Sequence, residues 1–142
     1  FMSRVLGLPE EALSAAAMQG RAMQYINFIR DIKEDLELGR RYLPLEGSDL
    51  PTLDEEYVAA HPKQFIEFHG AQIELYRGWQ REAEKGYSYI PKRYRVPIRT
   101  AAEMYLWTAE QIEKDPLIVY RKKVKPSKRR IRLQVLKNAL VG

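Results

Sequence analysis

The chain has 142 residues, the size of one domain, with 45% hydrophobic and 30% charged residues and a net charge of +5, a balance that suits a globular protein and argues against disorder. It holds no cysteine, which excludes disulfides, thiolate metal sites and cysteine nucleophiles; no run of about 18 apolar residues is present to span a membrane, and no signal peptide is visible. The positive charge is concentrated in Arg121–Arg132, RKKVKPSKRRIR, with eight Lys/Arg and no acid, so the remainder of the chain is net acidic. A tail of this kind suits nucleic acid, anionic lipid or a phosphorylated ligand.

In chain order, Pro9 stands at a first helical position, and Glu10 and Glu11 suit a positive helix N-terminus. Met18, Ala22, Tyr25, Ile29, Ile32 and Leu36 recur at helical spacing until Gly39 stops the run. RRYLPLEG is a loop. TLDEEYVAAH has Thr52 and Glu55 in capping-box spacing and predicts a short helix ending before Pro62. A longer helix follows over about 63–85, with Gly86 as its C′ residue. YSYIPKRYRV then connects to a helix beginning near Pro97 and running through IRTAAEMYLWTAEQIEK. DPLIVYRKKVKPS reads as extended or irregular between the breakers Pro116 and Pro126, and SKRRIRLQVLKNALV as a last helix. No strand pattern appears. The expected class is all-α, with about five to six helices.

The stretch with chemical content is QYINFIRDIKEDLELGRRYLP, Gln24 to Pro44. At 100° per residue, Gln24, Asn27, Asp31 and Asp35 fall within an arc of roughly 80°. That row runs along the edge of the apolar arc formed by Tyr25, Phe28, Ile29, Ile32 and Leu36, whereas Arg30 and Glu37 point away from it. Like charges four residues apart cost an isolated helix about 0.2–0.5 kcal/mol, and nearby carboxylates resist joint ionisation. A divalent cation removes that cost, and one or two carboxylates with neutral oxygens describe a magnesium site. From spacing alone, a solvated pair balanced by Lys33 and Arg30 is the commoner outcome. His61 and His69 have no metal-like partners and read as ordinary residues.

The same stretch resembles the second aspartate-rich motif of the squalene/phytoene synthase family, close to Q-x-x-N-x-x-R-D-x-x-x-D followed by R-x-Y-x-P. The matching positions are Gln24, Asn27, Arg30, Asp31 and Asp35, then Arg40, Tyr42 and Pro44. RTAAEMYLWTAEQIEKD is similar to the family's late helix, with Tyr105 at its characteristic tyrosine, and VYRKKVKPSKRR to its closing basic segment, with Arg121 the best-matched arginine. The resemblance implies an all-α isoprenoid-synthase fold and magnesium-dependent head-to-head condensation of two prenyl diphosphates. Phytoene synthase, using geranylgeranyl diphosphate, is preferred over squalene or dehydrosqualene synthase, using farnesyl diphosphate. NADPH is implied only for squalene formation. It further implies that Asp31, Asp35 and Asn27 ligate magnesium, that Asp31, Asp35 and Tyr105 are catalytic, and that Gln24, Asn27, Arg30, Arg40, Tyr42 and Arg121 bind substrate. By spacing alone Tyr105 is equally a core tyrosine.

The family's first aspartate-rich motif is absent, since no other D-x-x-x-D occurs. Residues 1–142 therefore read as a single C-terminal portion of a synthase-like domain. The expectation is that they are inactive alone and stable only with the missing N-terminal half or by self-association, because half a fold exposes the apolar faces of its cavity. A cytoplasmic protein, with peripheral membrane contact suited to insoluble hydrocarbon products, is expected. Nucleic acid is not, because the basic tail lacks interleaved aromatics for stacking.

Overall fold

The computed structural model describes residues 10–141; Pro9 lies outside them. Helices α1 (Glu10–Arg30), α2 (Ile32–Glu37), α3 (Glu55–Ala60), α4 (Pro62–Glu84), α5 (Lys92–Lys114), α6 (Ile118–Arg121) and α7 (Lys128–Val141) account for the order, with a 3-10 turn at Tyr87–Tyr89. The all-α class stands, and no strand occurs among the described residues. Among the described residues there are seven helices where five or six were expected, for two local reasons. Asp31, at φ −101° and ψ 20°, interrupts the first helix, and Pro116 allows a single helical turn after it rather than an extended connector.

The long helices α1 and α4 make the principal packing pair, and α5 crosses both. Ile26 and Ile29 of α1, Phe65, Ile73 and Tyr76 of α4 and Ile112 of α5 are essentially removed from solvent in one contiguous core. Burying an aliphatic or aromatic side chain of this size contributes about 1.5–3 kcal/mol, so this seam holds the bundle. The connection between α2 and α3 is irregular but anchored, because Leu43, Leu45, Leu50 and Leu53 are buried. Tyr120 clips α6 to that loop by donating to the Leu53 carbonyl at 2.6 Å.

Helix ends differ from the sequence expectation in three places. Thr52 does not cap α3; Asp54 holds that position, and the Thr52 hydroxyl accepts from the Asp54 N–H at 3.2 Å. Helix α5 starts at Lys92, one and a half turns earlier than expected, with Pro97 inside it. The Pro91 carbonyl accepts from the N–H groups of Tyr94 and Arg95 and so founds the first turn. Pro97, whose fixed φ is helical, costs that helix a backbone donor without ending it.

Gly39 behaves as expected. At φ +74° it follows α2 in the left-handed region; its N–H donates to the Leu36 carbonyl at 3.0 Å and Arg40 N–H to the Asp35 carbonyl at 2.7 Å, a Schellman closure. Gly86 does not behave so: its φ is −89°, which any residue adopts. Its small size serves packing instead, since a Cβ there would stand 2.3 Å from the Ala15 Cβ of α1. Gly86→Ala should therefore lower stability by about 1–3 kcal/mol, the usual cost of overpacking, read as a lower urea midpoint with little change in slope.

Candidate functional site

The apolar seam presents the row Gln24, Asn27, Asp31 and Asp35 at the bundle surface next to α5, α6 and the chain following α6. Gln24 is exposed, while Asn27, Asp31 and Asp35 are half-buried. The helical path continues through the interruption, because Asp31 N–H donates to the Asn27 carbonyl at 2.9 Å and Asp35 N–H to the Asp31 carbonyl at 2.8 Å. The row is thus preserved across the boundary between α1 and α2.

Asp31 is gripped by its neighbour. Arg30 donates through Nε and a terminal nitrogen to the two carboxylate oxygens at 2.8 and 3.0 Å, a bidentate pair with both side chains mostly covered. That hydrogen bond is the main reason the Arg30 guanidinium titrates above its ordinary value. Lys123, from the basic segment, stands 4.0 Å from Asp31 and 3.4 Å from Glu34. Lys33 donates to the Tyr120 carbonyl at 3.1 Å. Asp35 has the opposite electrostatics to a paired carboxylate: partial burial, then the charges of Asp31 and Glu34, push its pKa up, with Arg40 and Lys123 opposing.

Asn27 donates to the Tyr105 hydroxyl at 3.4 Å, which brings the candidate tyrosine of α5 to the row. Its side-chain oxygen is buried and has no hydrogen-bond partner. An orphaned oxygen costs on the order of 1–3 kcal/mol, and this amide is left without a partner for its acceptor. No three His, Asp or Glu side chains converge on one point among the described residues.

Two cavities meet here. A cleft of about 330 Å³ is lined by Arg30, Asp31, Lys33, Glu34, Glu37, Val119, Tyr120, Arg121, Lys122 and Lys123. Five of those residues are cationic, and Arg121, exposed and paired with Asp115, is among them. A second, more apolar groove of about 510 Å³ runs between α5 and α7, lined by Pro97, Ala101, Met104, Tyr105, Pro126, Ile131 and Val135. Thr100 and Thr108 also line it, but their hydroxyls donate to the Val96 and Met104 carbonyls of their own helix. Arg30 borders both cavities.

Not every expected residue joins them. Tyr42 is exposed and stacks on Phe28, with ring centroids 4.5 Å apart, and Arg40 approaches Asp35 across a separate small pocket. Lys123 and Glu34 were not singled out by sequence reasoning, and Lys33 was named there only as a balancing charge; Lys123 is one of eight similar cations, and only the fold shows which one reaches Asp31. His61 stacks on Tyr57 at the surface. His69 is buried, with Nε2 lacking a partner, and burial pushes its pKa down to about 4. Neither histidine approaches the row.

A family model described as squalene/phytoene synthase matches residues 1–130. A bifunctional lycopene cyclase/phytoene synthase from Gibberella fujikuroi is 32% identical over 135 residues, covering 89% of this chain and 22% of that protein. A chloroplastic phytoene synthase from Daucus carota is 33% identical over 106 residues, covering 73% and 27%. Another bifunctional lycopene cyclase/phytoene synthase, from Podospora anserina, is 37% identical over 102 residues, covering 66% and 16%. The chain thus spans 16–27% of the length of these curated relatives. No solved structure matches it.

The raised Asp35 pKa has a consequence for stability. A carboxyl whose folded pKa exceeds its unfolded value opposes folding once it is ionised; the penalty is absent at low pH and grows as pH rises through both values. Asp35→Asn should stabilise the protein near pH 7 by about 0.2–0.5 kcal/mol, the cost of a like-charge pair one turn apart. Near pH 3 the gain should shrink, as urea melts at the two pH values would show.

Proposed function

The chain belongs to the squalene/phytoene synthase family, and on that footing we propose that it forms the diphosphate-holding wall of a prenyltransferase that joins two prenyl diphosphates head to head. The observation that supports this best is the meeting of Asp31, from the carboxylate row, with five cations in one cleft, beside an apolar groove. A polar cleft next to an apolar trough is what a molecule with a charged head and a long hydrocarbon tail requires.

Asp31, Asp35 and the unpartnered Asn27 oxygen would hold magnesium, the donor set being all hard oxygen. Bound there, magnesium would supply charge neutralisation to diphosphate oxygens as the carbon–oxygen bond breaks. Arg30, Lys33, Arg121 and Lys123 can bind the remaining oxygens, Arg121 and Arg30 in forked geometry. Binding substrate there requires Arg30 and Lys123 to exchange carboxylate partners for phosphate ones. Tyr105, whose hydroxyl accepts from Asn27, would orient the head group or face the developing allylic cation, while Gln24 stands at the exposed end of the row. In the reaction the electron pair of the broken bond leaves with diphosphate, and the second substrate's double bond attacks the allylic cation. Proton loss then closes a cyclopropyl intermediate; departure of its diphosphate gives a cation that rearranges and sheds a proton to leave the linear polyene, or takes hydride from NADPH where squalene is the product.

Geranylgeranyl diphosphate, giving phytoene, is the preferred substrate, since the relatives named above carry phytoene synthase in their names. Farnesyl diphosphate is the alternative. Activity would need companion sequence carrying facing carboxylates, because no group of three His, Asp or Glu side chains able to hold a metal ion forms among the described residues. No helix among the described residues is long and apolar enough to cross a membrane; a cytoplasmic enzyme in peripheral contact with a membrane is the proposed setting, with no role for nucleic acid.

Isothermal titration of the chain with geranylgeranyl and farnesyl thiodiphosphates, with and without magnesium, tests the reading. Magnesium-dependent binding is expected, weakened at least about tenfold, ~1.4 kcal/mol, in Asp31→Asn/Asp35→Asn. Equal affinity of both proteins would remove the metal role, and no binding by the unsubstituted chain would remove the diphosphate wall.

A further inference from the structure

Helix α7 carries apolar side chains on two sides, Ile131 and Val135 at the groove and Leu133, Leu136 and Leu140 away from the bundle. On the side facing α5, buried Asn138 donates to the Thr100 hydroxyl at 3.0 Å and to Glu103 at 3.4 Å. Gln134 donates to Glu103, and the Arg130 guanidinium lies 4.8 Å from the centre of the Trp107 ring. Ile131 and Val135 border the apolar groove. The opposite side carries Leu133, Leu136 and Leu140, 57%, 61% and 86% exposed. A surface helix ordinarily directs such residues to the core and its polar ones to water.

The exposed leucines form a stripe. At 100° per residue they occupy an arc of roughly 60°, with Arg129 inside it and Arg132 and Lys137 about 40° beyond its two edges. All three cations are exposed, and no acid occurs between Lys128 and Val141. The three leucines also lie past the segment shared with the family.

We propose that this outer face of α7 docks on an anionic lipid surface. The leucines enter the acyl boundary, and Arg129, Arg132 and Lys137 meet the phosphate head groups around them. Charge selects this occupant. A second copy of the same face would press cations against cations, whereas an anionic leaflet attracts each of them. A crest of leucines flanked by cations is the pattern of helices that lie in the plane of a bilayer interface. The inference gives a location to the peripheral contact proposed above; it rests on that reading and not on the diphosphate chemistry.

Flotation of the chain with vesicles of phosphatidylcholine alone, and of phosphatidylcholine with phosphatidylserine, is the test. Binding to the anionic vesicles only, weakening as salt rises, is expected. Leu133→Gln/Leu136→Gln/Leu140→Gln should abolish it, and Arg129→Gln/Arg132→Gln/Lys137→Gln should weaken it roughly a hundredfold. Circular dichroism of both variants should match the unsubstituted protein, because the changed side chains point outward. Leu136→Trp supplies a measurement without removing the face: its emission should shift to the blue on adding anionic vesicles and stay unchanged with neutral ones. Asp31→Asn/Asp35→Asn should float like the unsubstituted protein, which separates this inference from the metal and diphosphate reading. No flotation, equal flotation of the leucine variant, or an unshifted tryptophan would overturn the proposal. So would dimers that the leucine variant dissolves, or retention on an acidic polypeptide matrix without vesicle binding, since these assign the face to a second copy or to a protein partner.

Discussion

Two carboxylates one helical turn apart repel, and in a partly buried position the repulsion grows because water no longer screens it fully. Everything around Asp31 and Asp35 constrains that tension without discharging it. The seam between α1 and α4 fixes the helix that carries them, with Ile26, Ile29, Phe65, Ile73 and Tyr76 fully enclosed. The Gly39 closure fixes the end of α2, using the Asp35 carbonyl as an acceptor. Arg30 grips Asp31 with two hydrogen bonds, while Lys123 reaches the Asp31–Glu34 side. Asp35 receives less help, and its pKa stays raised. The site is therefore rigid in its backbone and incompletely neutralised in its charge, a combination suited to a ligand that brings cations and phosphate together.

The face was legible in the sequence because a helix has a fixed period. Once Gln24 through Leu36 is helical, the row follows from counting, and the interruption at Asp31 leaves it intact because two backbone hydrogen bonds span the gap. Long-range partnerships were not legible in that way. Asn27 and Tyr105 are 78 positions apart, and Lys33 meets the Tyr120 carbonyl 87 positions away; no local period encodes such distances. Among the cations of 121–132, the choice of Lys123 as the Asp31 neighbour is made by α6, whose single turn aims the following chain. Local cues also misled where two physical roles share one residue. Gly86 marks a helix end as expected, yet close approach to Ala15 is what requires it. Pro97 looked like a start because prolines favour first turns, but a helix absorbs the loss of one donor when the turn before it is already founded on the Pro91 carbonyl.

The basic segment, which composition treats as one feature, divides in space into parts with different jobs. Arg121, Lys122 and Lys123 line the carboxylate cleft, where three cations offset the acids of α2. Lys125 and Pro126 turn the chain along the apolar groove, and Val124 buries itself between them and α6. From Lys128 onward the cations belong to a helix. There Arg130 lies over the Trp107 ring, and Arg129, Arg130 and Arg132 are all exposed. A tail wholly devoted to one polyanion would have kept its charges on a single accessible track.

That division explains why α7 can present leucines to its surroundings without losing its place on the bundle. Its attachment to α5 is carried by polar contacts from Asn138 and Gln134 and by the Arg130–Trp107 stack, together with Ile131 and Val135 at the groove. The outer leucines are then free of any duty in holding the helix. Had the polar residues faced out, the same composition would have made an ordinary surface helix, with its leucines filling the groove. Turning the helix over keeps the groove open and leaves an apolar stripe beside it, so the two features follow from one choice of rotation about the helix axis.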